Sequence, residues 1–497
     1  MRIATTQEIQ GIEKKVIEEG ISPERLMEIA AHGMRDILQS DPLTRNSKEA
    51  VVLAGKGNNG GDGIVLARLL MEEGWSVQLF LVSEEIGELP QKKLEQLKRL
   101  FPDVDVISDL LKLKWPSSEG IVIDALLGIG ARSKPHGAIA KLIALTNESR
   151  WRFFFRTVAL DLPSGLCEES SEADEAMIAD LTITVGFPKT VLVQEKFSNW
   201  VGRLEVVNLF DSESEALSDQ RQLLIPQELR GLLPRRLSQS YKGSYGKGLI
   251  IAGSLGMTGA AALTSMACLK SGAGLTYLST FTDCIPMLTG VVPPEVMIRD
   301  LFSGELFQLI QSCNAIAIGP GLGQSQESLS AFSYLLDHVQ RPILIDADGL
   351  NLLASNPELE RMIPPGSILT PHEGELARLL KVDLIDREQQ ALQYAREKSV
   401  ILVLKGTRTM VVSPEGRIDY NSSGNPGLSK GGSGDVLTGI IVALMAQGLD
   451  SWNAARLGVW LHGKAADEAL QIVGAEESLV ASDIVQAIPQ ALLQLRR

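Results

Sequence analysis

The sequence predicts two doubly wound α/β domains in tandem. Three observations carry that prediction. Short, near-continuous apolar runs alternate with helical patterns, as in parallel sheets covered on both faces. The rhythm stops once, in a polar acidic stretch, and then restarts. The chain has 497 residues, more than one ordinary hydrophobic core accommodates.

The first half opens with a helix whose start carries a capping box, Thr5 to Glu8. A second helix begins at Ser22-Pro23, an N-cap followed by proline at the first helical position. Leu26, Ile29, Ala30, Met34, Ile37 and Leu38 recur on one face of it. Strand-like runs follow: "AVVLAG", "SVQLFLV", "GIVIDALLG", "RTVALDLPSG", "LTITVGF" and "GRLEVVNL". After Phe210, "DSESEALSDQRQ" lacks a strand pattern and is read as the linker, with domains over 1–214 and 215–497. The second half restarts near Gly248 with "GLIIAGS" and a helix over "GAAALTSMACLKSGAG". "AIAIGPGLG", "PILIDADGLN", "SILTPHEGE" and "VILVLKGTRTMVVS" come next, before a glycine–aspartate stretch that leads into a helix. The halves share no evident repeat. Ligands of such sheets sit beyond the carboxyl ends of the strands, where most of the glycine and acid clusters fall.

Composition narrows the function. The net charge of −14, without a long basic run, argues against nucleic acid or an anionic membrane as partner. No apolar segment is long enough to span a bilayer, and "MRIATTQEIQ" lacks the apolar stretch of a signal peptide. The four cysteines are far apart and form no CxxC pair, which predicts reduced thiols in a cytoplasm and no zinc site. Five histidines weaken a metal-hydrolase reading further.

In "NPGLSKGGSGDVLTG", Gly431, Gly432 and Gly434 let backbone amides converge, and a helix begins near Gly434. Its N-terminus is an anion site, and its dipole favours an ionised Asp435 that can serve as a base. The stretch is not a GxxxxGK[ST] loop, and a plain glycine turn with a first-turn acid explains it equally well when taken alone. Neighbouring strand ends tip the balance. They bring "GPGLG" (Gly319 to Gly323), Asp346, Asp348 and Asn351, then His372, Glu373 and Glu375, then Lys405, Thr407 and Thr409 to one rim. Each has an ordinary explanation as a turn former, helix-start group or solvated strand end. Together they assemble phosphate, hydroxyl and base chemistry.

"KGSYGKGLIIAGS", "GMTGAA", "SGAGL", "GPGLG", "DADGLN", "TPHEGE", "LKGTRT" and "GNPGLSKGGSGDVLTG" stand in this order from about Ser240 to the C-terminus. This half resembles the ribokinase-like NAD(P)H-hydrate dehydratases. The resemblance implies dehydration of hydrated NADH or NADPH with ADP or ATP as phosphoryl donor and an accompanying magnesium ion. Phosphorylating the hydroxyl makes chemical sense: hydroxide, from water of pKa ~15.7, leaves poorly, whereas phosphate has a second pKa of ~6. Asp435 is the implied base. By the same resemblance, Gly321, His372 and Asp435 would contact the hydrate. It likewise implies that Lys405, Gly406, Thr407, Arg408, Thr409, Gly432, Ser433 and Gly434 contact the nucleotide. Tyr241 stands where the family usually has histidine.

"AGKGNNGGDGIVLARLL" is again strand, glycine loop, helix. Asn58 and Asn59 offer amides, Gly60 and Gly61 admit a ligand to the backbone, and Asp62 reads most simply as a helix cap. Asp124 closes "IVID" and Asp161 closes "VALD", which puts two acids on the same rim. With "DALLGIG", "DLPSG" and "GFPK", the segment from Met1 to about Phe210 resembles the Rossmann-like NAD(P)H-hydrate epimerases, usual fusion partners of the dehydratase. The resemblance implies a hydrate site at Asn58, Asn59, Gly60, Gly61, Asp62, Gly128, Ile129, Gly130, Ala131, Arg132, Ser133, Lys134 and Asp161, with Asp161 as acid–base. It also implies a potassium ion held by Asn59, Asp124 and Ser164. Ile29, Ile129 and "LCEESSE" after "DLPSG" depart from the family pattern.

Two other readings compete: a small-molecule kinase for a vitamin precursor or sugar, and a non-catalytic N-terminal scaffold module of the kind found in RNA-decay factors. "TPHEGE" and the N-terminal partner argue against the first, Asp124 and Asp161 against the second. The expected protein is a cytoplasmic two-activity enzyme acting on small molecules, as a monomer or a homo-oligomer.

Overall fold

A computed structural model describes residues 1–496 except 132, 171, 174 and 210–219. The chain divides into two compact units, Met1–Asp219 and Gln220–Arg497. The expected boundary between 214 and 215 and most of the acidic linker lie outside the described residues.

In the first unit the strands are β1 (Glu49–Ala54), β2 (Ser76–Leu81), β3 (Asp105–Ile107), β4 (Ile121–Ala125), β5 (Arg156–Leu160), β6 (Leu181–Val185) and β7 (Arg203–Val207). They form a seven-stranded sheet in the order β3-β2-β1-β4-β5-β6-β7, every pair parallel. The order reverses between β1 and β4, which opens a crevice at their carboxyl ends. Apolar residues alternate to both sheet faces: Val52 and Ile123 pack into one core, Val51 and Val122 into the other. Both expected helix starts are present, Thr5 with its reciprocal capping box and Ser22 accepting from Arg25 N. The second helix is rotated slightly from its expected face. Met27 and Ala31 are buried, whereas Leu26, Ile29 and Ile37 are only half-buried.

The second unit contains β8 (Arg221–Leu224), β9 (Lys247–Ile251), β10 (Leu275–Thr280), β11 (Val296–Asp300), β12 (Ala315–Ile318), β13 (Leu344–Ile345), β14 (Ile368–Leu369), β15 (Ile401–Leu404), β16 (Met410–Val412) and β17 (Ile418–Asn421). Their order is β11-β10-β9-β12-β13-β14-β15-β16-β17-β8. The sheet is parallel from β11 to β15, then β15, β16 and β17 pair antiparallel, and β8 adds parallel to β17. The doubly wound α/β expectation holds, with this antiparallel extension added.

One expectation is corrected. Arg221 and Gln222, read as linker, begin an edge strand. Their polar side chains suit an edge, Arg221 pairs with Glu388, and the following Leu223 and Leu224 are buried. The helix Ser433–Ala446 is buried from Val436 to Ala446 and packs on the helix Thr258–Lys270, which fixes the position of its N-terminus. No described helix is long and apolar enough to cross a membrane. All four cysteines are free thiols.

Candidate active sites

In the second unit, β13 ends and the chain delivers Asp346, Ala347 and Asp348. Ala347 has φ of 48°, a left-handed conformation costly for a residue with a Cβ. The bend sends the two acids to different tasks. Asp346, buried, accepts from Lys405 Nζ at 2.8 Å through Oδ1 and from Thr438 Oγ1 at 2.7 Å through Oδ2. Asp348 accepts from Gly323 N at 2.8 Å and so holds the "GPGLG" loop, to which Gly321 belongs. Ser254 Oγ donates to Gly321 O from the other side at 2.9 Å.

Lys405 follows β15. Its ammonium lies 3.7 Å from Glu375 Oε2 as well as beside Asp346. Burial opposes its charge, but Asp346, Glu375 and Asp435 together raise its pKa above the ordinary value. His372 pairs with Lys405 in a parallel bridge and caps the helix Glu373–Leu380, with Glu375 returning the bond to His372 N at 2.8 Å. His372 thus has both roles open to it: a helix cap through Nδ1, and a half-exposed ring on the rim.

The glycine stretch forms the helix start. Gly432, at φ of 91°, is the N-cap of Ser433–Ala446 and offers no side-chain cap to the first amides. A Cβ on Gly434 would stand 3.4 Å from Lys405 Nζ, so the helix start and the ammonium face one point. Ser433 Oγ contacts His462 Nε2 at 3.3 Å, and burial pushes His462 down to about 4, a neutral ring at physiological pH. Asp435 departs from the expectation. Its pKa is pushed up to about 7, first by burial and then by Asp346, with Lys405 opposing and Asp348 adding to the rise. Gly406 and Thr407 are exposed and Thr409 half-buried in the β15–β16 turn, whereas the Arg408 side chain is buried and burial lowers its pKa to about 10.

In the first unit, the loop after β1 opens the helix Asn58–Glu72. Gly57 is its N-cap without a side-chain bond, so Asp62, in the second turn, is not the cap expected of it. A Cβ on Gly60 would lie 2.0 Å from Gly55 O and one on Gly61 2.5 Å from Met27 Cε, so both serve close packing within the protein. Asn59 Nδ2 donates to Leu127 O at 2.9 Å, while its Oδ1 is buried with no partner.

Asp124 is wholly buried at the end of β4. Ser164 donates to it twice, from Oγ at 2.6 Å and from N at 2.8 Å, and Leu126 N adds a third bond at 3.2 Å. Burial outweighs these bonds and raises its pKa to about 6. Asp161 follows β5 at φ of 66°, and its Oδ2 is 3.6 Å from where a Gly128 Cβ would be. Gly128 therefore lies against Asn59 and Asp161. Arg132 is outside the described residues, and Lys134 is exposed, 3.8 Å from Glu175.

Two groups escaped sequence reasoning. The buried Lys189 forms an ion pair with Asp161. Glu13, on the first helix, joins Asp62 and Asp161 in one acidic cluster: burial first, then Asp161, raises both Glu13 and Asp62, Asp62 strongly. "GFPK" carried a signal for Lys189. Nothing local distinguishes Glu13 from other polar residues of an amphipathic helix.

Fold and sites together define the class: a two-site α/β enzyme with a ribokinase-like second unit. That unit is similar to a ribokinase-like superfamily protein from Enterococcus faecalis, with TM-score 0.50, 26% identity, and coverage of 56% of this chain and 98% of that one. Residues 248–490 match the family described as NAD(P)H-hydrate dehydratase, and residues 23–191 the YjeF-related protein N-terminus. A bifunctional NAD(P)H-hydrate repair enzyme from Moorella thermoacetica is 36% identical over 90% of this chain and 88% of its own length. The Coxiella burnetii enzyme of the same description is 35% identical over 96% of each. The chain belongs to the family of bifunctional NAD(P)H-hydrate repair enzymes.

Proposed function

We propose that the first unit interconverts the R and S forms of hydrated NADH or NADPH, and that the second dehydrates the S form with ADP or ATP. The observation carrying the second activity is the convergence of Asp435, Lys405 and the glycine-bounded helix start. Asp435, with a pKa near working pH, takes the proton of the substrate hydroxyl. The amides at Gly432–Gly434 and the Lys405 ammonium steady the phosphoryl group as charge shifts in transfer. Phosphate then leaves where hydroxide would not. Among the described residues no group of three His, Cys, Asp or Glu side chains could hold a metal ion. A magnesium ion would thus arrive on the nucleotide phosphates, not in a cage of this chain.

In the first unit Asp161 is the acid–base group as water leaves and returns at the hemiaminal carbon. A potassium ion suits Asn59, Asp124 and Ser164: all three offer oxygens, one is a carboxylate, and the buried Asn59 Oδ1 lacks any other partner. Bound there, the ion would supply a fixed positive charge beside the Gly128 loop.

The test is recovery of reduced-nicotinamide absorbance from separated R and S hydrates. With nucleotide, both should be converted completely. Without nucleotide, R and S should interconvert with no NAD(P)H formed. Conversion of the S form alone, with nucleotide present, would remove the epimerase from the proposal.

A further inference from the structure

Lys189 is not a substrate-facing cation. It is 1% exposed, and its ammonium donates to Thr184 Oγ1 at 2.9 Å, to Val185 O at 2.8 Å and to Asp161 Oδ1. Three acceptors match three N–H donors, so none is left for a ligand. The backbone is held too. Ala4 pairs with Lys189 in a parallel bridge, with Ala4 N donating to Pro188 O at 3.0 Å and Thr190 N to Ala4 O at 3.2 Å. Glu168 Oε1 ties this edge to the first helix, accepting from Thr6 N at 2.8 Å and Thr190 Oγ1 at 3.0 Å.

The pairing is asymmetric at Asp161. Oδ1 takes the ammonium and a long bond from Val185 N at 3.4 Å, whereas Oδ2 takes neither and faces the Gly128 loop. The carboxylate also sits on a left-handed, non-glycine backbone, a conformation that needs outside support. Asp62 and Glu13 lie within electrostatic reach of both Asp161 and Lys189. Three acids therefore share one lysine, which bonds to only one of them.

We propose that Lys189 is a positioning residue for epimerisation: it anchors Oδ1 of Asp161, singles that acid out from Asp62 and Glu13, and leaves Oδ2 aimed at the bound hydrate. This rests on Asp161 being the acid–base group. Lys189 acts on turnover and not on substrate affinity, because its ammonium never reaches the substrate.

The experiment follows nucleotide-free conversion of the R to the S hydrate by the full-length chain. Lys189→Met should lower kcat roughly 10²-fold, the order expected for a misplaced catalytic group, with KM little changed. Lys189→Arg should restore part of that loss. In both variants, nucleotide-dependent dehydration of the S hydrate should match the parent. An unchanged kcat in a folded Lys189→Met variant, a loss confined to KM, or an arginine variant no better than methionine would each overturn the proposal. If Lys189→Met does not fold, the near-isosteric Thr184→Val decides. Removing one ammonium acceptor should lower kcat several-fold at constant KM, and a parental kcat would refute the proposal. Asp161→Asn separates the two levels: an active Asp161→Asn enzyme removes Asp161 as acid–base, whereas an inactive one beside a fully active Lys189→Met removes only the role of Lys189.

Discussion

Asp435 sits where two influences compete. A helix N-terminus stabilises a carboxylate, but burial and the nearby Asp346 and Asp348 disfavour it, and they win, raising the pKa to about 7. kcat/KM for dehydration should therefore rise with pH through about 7 and flatten above it, as measured across a buffer series with the S hydrate. Asp435→Asn should lose on the order of 10²–10⁴-fold in kcat while nucleotide affinity changes little, which calorimetric titration would show. The same acid carries a stability consequence. Its folded pKa is above the unfolded one, so the native state binds the extra proton and loses stability as pH climbs from about 4 through about 7. Asp435→Asn should accordingly melt higher than the parent at pH 8 and converge with it at low pH, by about 2–4 °C per kcal/mol in a domain of this size. In the first unit, Asp124→Ala removes the acceptor of both Ser164 bonds and one ligand of the proposed potassium site. Epimerisation should fall and lose any dependence on potassium, while dehydration of the S hydrate persists. At this scale the sequence exposed the strand-end acids and glycines, because each follows directly from an apolar run. It marked Lys189 only through "GFPK", and nothing local marked Glu13. Lys189 meets Asp161 beside the end of β6, and the bridge between Ala4 and Lys189 ties to that edge the N-terminal stretch leading into the helix of Glu13, a contact between residues far apart in the chain.

The elements show why some of the fold was legible and some was not. The central strands β1, β4, β9 and β12 are almost uniformly apolar and buried, and the sequence marks them clearly. β3, β8, β11 and β17 lie at or near sheet edges, are short, and carry Asp, Arg, Gln or Asn, so their pattern resembles loop sequence. The glycines divide along the same line. Gly60 permits close packing of the helix on the loop after β1, and Gly63 on the sheet: a Cβ on Gly63 would come within 2.6 Å of Ala125 Cβ. Gly432 instead serves the site. At φ of 91°, with a would-be Cβ 2.7 Å from Leu263 Cδ1, it admits no substitute easily. Gly432→Ala should cost roughly 1–2 kcal/mol for the left-handed backbone alone. It should also tilt the helix start away from Lys405, so nucleotide KM should rise in the steady-state assay. A parental KM with only a lower melting temperature would assign Gly432 to the fold and not to the site.

On the scale of the whole molecule, the two proposed activities draw on separate residues. Asp161, Lys189, Asp124 and the glycine loop after β1 all belong to the unit Met1–Asp219, and Asp435, Lys405, Asp346 and the "GPGLG" loop to Gln220–Arg497. Each unit has its own sheet and its own apolar cores. Each also falls in or near the usual size of a domain, roughly 50–250 residues. The place of the cut matters, because β8 starts at Arg221 and pairs with β17. A cut between 214 and 215 keeps that strand whole, whereas a second fragment starting at residue 225 would lose it and expose the edge of β17. Fragment 1–214 should interconvert the R and S hydrates without nucleotide. Fragment 215–497 should convert only the S hydrate, with ADP or ATP, and stop when the S form is exhausted. Mixing the two should restore complete conversion, read as the final absorbance of reduced nicotinamide. A second fragment that converts both hydrates by itself would show that epimerisation does not reside in the first unit. Two folded fragments that fail to complement each other would show that the sites are not independent.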